Sequence, residues 1–443
     1  MPCGGGFLDV YKVKRMPKRF SALPCLFLVL FCALLAGCGG RAPSDAASTS
    51  VSPPAVPSET ARFALRMINH PDAGTLSSGA GNEDGCYEVL YGAAGNNITY
   101  VDRATRQKIY LSSQVASSHQ DETDPSFLGR SSVYLFVLDS HLYCAQNGDP
   151  NTDGSATPGK LLEMDLNGAN RRVVTQLKAT DTMNKGIIAD DSDSGFIYTA
   201  VQRLKPTGQG YYDLCRISLR DGTQTSLLEL QPSQLPVGAH GAEIYLQTVT
   251  DVLSGGVYRL EAYSLSTGQT RLIREWPSGL IQGFTKDQNF FYLDMSAQKL
   301  LCLDLFTGGE REVASGLDLS SDPTLSSVDG IYDNHFIYMS LVRETQPQLR
   351  LYETVYGVDL TDGTVTEIAL RRRFMGADRP LKIIWEFPGE FLVISGEEPH
   401  TDQVVGPDGV PYTVENSILL YSLISKTDFW NNQPNYSEIE NRL

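Results

Sequence analysis

Among the groups in the 443-residue chain that could do chemistry, the thiol of Cys38 has the most specific setting. It follows Leu35-Ala36-Gly37 at the end of an unbroken apolar run, residues 23 to 36. A thiol is a nucleophile, and small residues before it let an extended backbone enter a peptidase. A second candidate is Asp149-Pro150-Asn151-Thr152-Asp153-Gly154, which places oxygen ligands at positions 1, 3 and 5 of a calcium loop and glycine at position 6. Position 12 should be a bidentate carboxylate and is Lys160, so calcium rests on Asp149, Asn151 and Asp153 alone; a surface hairpin draws on the same residue types. No further cofactor is indicated. The six histidines have no partner at metal-ligand spacing, and no Gly-x-Ser-x-Gly elbow occurs. His335, in Asp333-Asn334-His335, is the most polar cluster, with a strand-start loop as its plain reading. Arg371-Arg372-Arg373 could meet a carboxylate or phosphate, or lie at a solvated strand end. Trp276, Trp385 and Trp430 could stack on sugars, although such rings more often pack blades together.

The elements around Cys38 form an export signal. Lys12, Lys14, Arg15, Lys18 and Arg19 precede the apolar run, which at 14 residues is shorter than the roughly 20 needed to span a bilayer. Starts at Met1 and at Met16 both keep this arrangement. Leu35-Ala36-Gly37-Cys38 resembles the lipobox of bacterial lipoproteins. The resemblance implies that residues 1–37 are a signal peptide, that Cys38 carries a diacylglyceryl group, and that cleavage before it leaves a lipidated N-terminus. Two acyl chains provide the stable membrane hold that one does not. Loss of residues 1–37 removes five basic residues and one acidic one, so the net charge of -16 falls to about -20. No basic footprint for nucleic acid exists. Residues 38–60 hold the lipidated Cys and a Ser/Pro/Ala-rich stretch with no aromatic residue, which reads as a tether.

From Cys86 onward one unit recurs: an aromatic-rich strand, a strand ending in an apolar-Asp/Ser-Leu step, a tight polar turn and a return strand. Examples are Leu161-Leu-Glu-Met-Asp165-Leu-Asn-Gly168, Leu300-Leu-Cys-Leu-Asp304-Leu-Phe-Thr-Gly308 and Val355-Tyr-Gly-Val-Asp359-Leu-Thr-Asp-Gly363. Asn-Gly, Thr-Gly and Asp-Gly supply the positive φ that tight hairpins demand. Seven copies, centred at residues 102, 165, 218, 264, 304, 359 and 422, lie 40 to 63 residues apart. The shortest interval matches one four-stranded propeller blade of about 40 to 45 residues, longer ones a blade with insertions. The fold class is therefore all-β, a single β-propeller over residues 61–430 with seven four-stranded blades, followed by a C-terminal tail, 431–443. The runs Val133–Leu138, 195–201, 242–246, 290–293, 331–332 with 336–339, and 391–394 read as first strands, and residues 62–68 are placed to close the ring beside 417–424. Cys86, Cys144, Cys215 and Cys302 are even in number, which leaves two disulfides open, but each lies in an apolar strand and favours a buried free thiol.

With its signal and blades together, the chain resembles the uncharacterised bacterial β-propeller lipoproteins, whose blades read Tyr-x-φ-Asp-Leu-x-Thr-Gly. The resemblance implies an extracytoplasmic protein held at the cell membrane by acylated Cys38. The expected role is binding or scaffolding of a protein or cell-envelope polymer through insertions near residues 146–160, 203–211, 343–353 and 398–413. The alternative is a carbohydrate-active lyase or hydrolase with its site at the channel mouth, for which no catalytic residue stands out.

Overall fold

Each recurring Asp-Leu-x-Thr-Gly step closes the hairpin between the third and fourth strands of a four-stranded sheet. At Asp304 the carboxylate accepts hydrogen bonds from the amides of Phe306 (2.9 Å) and Thr307 (2.8 Å), and Gly308 turns the chain at φ 73°. At Asp359 the same turn brings Gly363, φ 77°, so close to the preceding blade that a Cβ there would run into the Val313 carbonyl oxygen. Only glycine meets both demands.

The computed structural model describes residues 63–443 apart from 70–79, 93–94, 113–116, 122, 151–155, 184–185, 194, 251–255, 278–280, 321–325, 345–349, 375 and 406–410. The described residues form seven four-stranded antiparallel units: blade 1 (80–110), blade 2 (133–176), blade 3 (187–230), blade 4 (234–276), blade 5 (282–315), blade 6 (326–368) and blade 7 (382–438). The protein is a β-propeller.

Consecutive residues on the second strand of a blade face opposite neighbours, because side chains alternate across a strand. Tyr87 packs with Leu135 of blade 2, while adjacent Cys86 packs with Leu392 of blade 7. Tyr198 joins Ile244 while Ile197 joins Phe136; Tyr245 joins Phe290; Phe291 joins Phe336; Ile337 joins Phe391. Seven apolar clusters thus link the blades in a cycle from 1 through 7 and back to 1. The aromatic-rich runs that the sequence marks as first strands at 195–201, 242–246, 290–293, 336–339 and 391–394 are second strands, and among the longer runs only Val133–Leu138 is innermost. True first strands such as Gln282–Lys286 and Ser326–Tyr332 bury little and alternate poorly, so pattern alone passes over the former and catches only Ile331–Tyr332 of the latter.

The termini depart from expectation. The strand Leu65–Asn69 does not complete blade 7. It pairs with Ile187–Asp190, the first strand of blade 3, and with Gly241 and His240 of the first strand of blade 4, bridging those two blades at the channel. Leu65 is 3% exposed inside the cluster these blades share. All four strands of blade 7 come from the C-terminal part of the chain, and residues 431–443 are not a tail. Ser437–Glu438 is its fourth strand, and Glu440–Asn441 pairs in parallel with Gln107–Tyr110 of blade 1. Arg103 of blade 1 reinforces this seam through the Glu390 carboxylate (2.9 Å) and the Pro388 carbonyl (3.0 Å).

Cys86, Cys144, Cys215 and Cys302 are free and buried. Burial raises each thiol pKa, to about 12 at Cys144 and about 11 at Cys215. We predict that a thiol reagent modifies none of these four in the folded protein and all four in denaturant, and that reductant leaves the melting temperature unchanged; a fall on reduction would reveal a disulfide. For the N-terminal strand, Leu65→Ala should cost about 3 kcal/mol in denaturant melts. Arg66→Ala, which removes a half-exposed ion pair with Asp191, should cost under about 1 kcal/mol. Equal costs would mean that the strand does not dock.

Candidate functional site

In each blade the second strand leads to the third, and the fourth to the next blade's first, on one face of the ring. First-to-second and third-to-fourth turns lie on the other. The four insertions singled out by sequence all join second to third strands, in blades 2, 3, 6 and 7. They therefore rise from the same long-loop face. The largest is the hairpin of Glu390–Val405 with Pro411–Ser425, paired from Ile394↔Tyr421 to Val405↔Pro411. The first strand of blade 7 stops pairing at Ile394, so the two long strands continue past it as a two-stranded ribbon roughly 35 Å long.

Arg371–Phe374 and Ala377–Pro380, between blades 6 and 7, form a hairpin on this face. The arginine run is thus a built element. Arg371 Nη1 donates to the Glu353 carbonyl (2.8 Å), Arg379 pairs with the Glu353 carboxylate, and Arg373 meets Asp378 at 3.4 Å. Alternation turns Arg371 and Arg373 to solvent and Arg372 inward. Burial pulls the Arg372 pKa down, against the nearby carboxylates of Glu397 and Glu353. Its Nε donates to the Pro380 carbonyl, while its Nη1 is buried without a hydrogen-bond partner.

Two further polar groups on this face escaped the sequence reading. In the connection from blade 1 to blade 2, Asp124 is 1% exposed and accepts from Ser126 N (2.7 Å), Ser126 Oγ (2.6 Å) and Ser112 Oγ (3.0 Å). Burial pushes its pKa up, but hydrogen bonds from Ser117, Ser126 and Ser112 outweigh this and bring it to about 2. His119 Nδ1 lies 2.8 Å from Asp124, its ring stacked 3.9 Å from Tyr110. In blade 3, Arg203 reaches Asp181 (2.9 Å), Asp213 (3.2 Å) and the Cys215 sulfur (3.2 Å), all largely buried. Their signal in the sequence was weak, since the partners are 2 to 22 residues apart with no regular spacing. Both groups close on themselves and hold loops to blades.

Several charged groups of the channel wall are engaged within the protein. On the first strands, Lys382 pairs with Asp329, Lys286 donates to Asn334, and Glu386 holds Lys426 and the Asp333 amide. Asp190 accepts from Ala64 N and Ser192. These carboxylates and ammonium groups are engaged with neighbouring protein groups. Among the described residues no cluster of three or more His, Cys, Asp or Glu could hold a metal ion. A cavity of about 620 Å3 opens at the seam of blades 1 and 7 on the turn face, lined by Asp84, Tyr100, Asp102, Arg103 and Glu390 among others. Of its charged groups, Arg103 and Glu390 form the seam contact and Asp102 accepts from the turn amides of Ala104 and Thr105.

Other candidates resolve as structure. His335 stacks on Trp430 at 3.8 Å, and Trp430 Nε1 donates to Asp333, which also receives Lys426. The trio pins the short helix Lys426–Trp430 to blade 6. Trp276 packs edge-on against Tyr258 and Tyr292. Around the calcium candidate, the backbone of Asp149–Pro150 pairs with Ala156–Thr157 as a hairpin. Asn151, Asp153 and the Asp149 side chain lie outside the described residues, as do Cys38 and the whole segment before Phe63.

No protein-family model and no curated protein matches the chain. It is similar to solved β-propeller proteins. A prolyl endopeptidase structure is 11% identical, with a TM-score of 0.48, covering 83% of this chain and 55% of that one. The chain thus spans about half the length of that enzyme. Dipeptidyl peptidase 4 from Porphyromonas gingivalis is 10% identical over 86% of this chain and 59% of that one, TM-score 0.44. TolB from Acinetobacter baumannii is 12% identical over 68% and 65%, TM-score 0.30. At such identities the likeness concerns the propeller fold, on which binding proteins and enzymes are both built.

Proposed function

We propose that this protein is a lipid-anchored, extracytoplasmic binding or scaffolding module that engages a protein or cell-envelope polymer through its long-loop face. The observation that carries the reading is topological: four insertions and the arginine hairpin, dispersed over some 270 residues, all rise from one side of the ring. A rigid ring that presents long loops on one face is suited to recognition. The engaged charged groups of the channel wall weigh for binding over turnover. Membrane attachment is supported by the signal pattern that ends at Cys38. In a chain of net charge -16, Arg371 and Arg373 on that face favour a partner bearing carboxylates or phosphates.

The test is in-cell crosslinking and affinity recovery of the tagged full-length protein, read by mass spectrometry. One or a few partners should be enriched, and Cys38→Ala should abolish their recovery by releasing the module from the membrane. Replacing residues 399–417 by Asn-Gly retains the Glu398↔Ile418 pair and closes it with a tight turn. This variant should lose at least fivefold in partner recovery while melting within about 3 °C of the parent. Arg371→Glu with Arg373→Glu should weaken recovery in the same direction. Enrichment unchanged by all of these variants would sink the long-loop reading, and turnover of an envelope glycan by the purified protein would replace binding with catalysis.

A further inference from the structure

One backbone position recurs on the outer side of every third strand, six residues before the strand's last residue. In blades 3 and 4 the fourth strand covers it: Tyr212 pairs with Leu230 and Tyr258 with Trp276. In blades 2 and 5 the chain just past the fourth strand does so, the Leu177 amide donating to the Gly159 carbonyl (2.8 Å) and the Leu317 amide to the Gln298 carbonyl (3.0 Å). In blade 1 a separate segment takes over, with Gly129 paired to Asn96, and in blade 6 the Arg371 guanidinium donates to the Glu353 carbonyl (2.8 Å). The same position in blade 7 is Leu419. Its fourth strand is Ser437–Glu438 alone, against four to seven residues elsewhere. The Ile439 amide donates to the Tyr421 carbonyl (2.9 Å), but the next amide, of Glu440, already donates to Arg106 of blade 1. The chain thus leaves this edge two residues short of Leu419. Backbone groups alternate from side to side along a strand. The Tyr421 carbonyl points outward to Ile439 and the Leu420 carbonyl inward to Ser395 Oγ (3.4 Å), so the Leu419 N–H and C=O point outward, where no described residue meets them.

We propose that the outer edge of blade 7 at Leu419 docks an extended segment of a partner protein, which adds as a strand on the long-loop side of Ser437–Glu438. The inference rests on the reading of this protein as a binding module and narrows its partner to a polypeptide. An edge residue presents a donor and an acceptor at strand spacing, and the group that matches both is another polypeptide backbone. Blade 1 uses that solution within the molecule, where Phe127–Gly129 comes from outside the blade's own hairpins to lie beside Asn96 and Asn97. Blade 7 offers the same place and continues a pairing that Ser437–Glu438 has begun. Ile418, Leu419 and Leu420 are partly exposed, and Leu419 packs toward the cluster shared with blade 1. Alternation turns Ile418 and Leu420 to the other side. The docked segment therefore carries apolar side chains on both of its faces near the ring.

The probe is a dye-labelled synthetic peptide with the sequence of Thr270–Trp276, the fourth strand of blade 4, whose Trp276 end meets the position equivalent to Leu419. It is titrated into the purified full-length protein and read by fluorescence anisotropy. Saturable binding is expected. Leu419→Pro deletes one outward N–H, a change that strand edges tolerate, so this variant should melt within about 3 °C of the parent and bind the peptide at least tenfold more weakly. Should the variant unfold, the same peptide with an N-methylated backbone decides on the parent protein: it cannot add as a strand and should bind at least tenfold more weakly than the unmodified one. No binding of the unmodified peptide, equal binding by parent and folded variant, or equal binding of the two peptides overturns the proposal. Light scattering checks the other occupant: a dimer of the parent that Leu419→Pro converts to monomer gives the edge to a second copy and also overturns it. Peptide docking and in-cell recovery fail separately, since loss of docking with recovery intact rejects the edge alone, and loss of recovery with docking intact rejects the long-loop reading.

Discussion

Every blade of this protein is held on both sides by a single strand. The second strand turns alternate residues to the preceding and the following blade, as Cys86 and Tyr87 do, or Ile197 and Tyr198. Because side chains alternate with period two, one register slip would exchange the two faces and spoil both interfaces at once. That constraint explains why the second strands are the aromatic-rich ones. Each must supply large apolar area in two directions, and burial at about 25 cal/mol per Å2 is the dominant favourable term.

A ring made of such contacts must close, and here closure falls to the C-terminus. The chain finishes blade 7 with Ser437–Glu438 and then continues along the outer edge of blade 1 with Glu440–Asn441. Pairing covers part of an edge that would otherwise offer free amide and carbonyl groups. The N-terminal strand is thereby free for a different task, bridging blades 3 and 4 at the channel.

The division of the two faces follows from this architecture. Some third-to-fourth turns abut the preceding blade, as the contact of Gly363 with Val313 and of Gly222 with Val174 shows, and an insertion there would collide. Second-to-third connections can lengthen at small entropic cost. Variation, and with it recognition, therefore gathers on one side.

The sequence alone determined the repeat and, in blades 2 to 6, its turn chemistry, since the third strand and hairpin are local and spelled out there by alternation and by Gly at positive φ. Free thiols at Cys86, Cys144, Cys215 and Cys302 were equally legible from their apolar strands. Only the tertiary structure decided where Leu65–Asn69 docks, because a five-residue apolar strand fits more than one edge and the choice depends on which edges the ring leaves open. The same holds for the tail that became strand: Ser437–Glu438 and Glu440–Asn441 are too short for any period to register. Asp124 with His119, and Arg203 with Asp181 and Asp213, are groups whose members meet through loops and adjacent strands. Their chemistry comes from burial, which no spacing along the chain encodes.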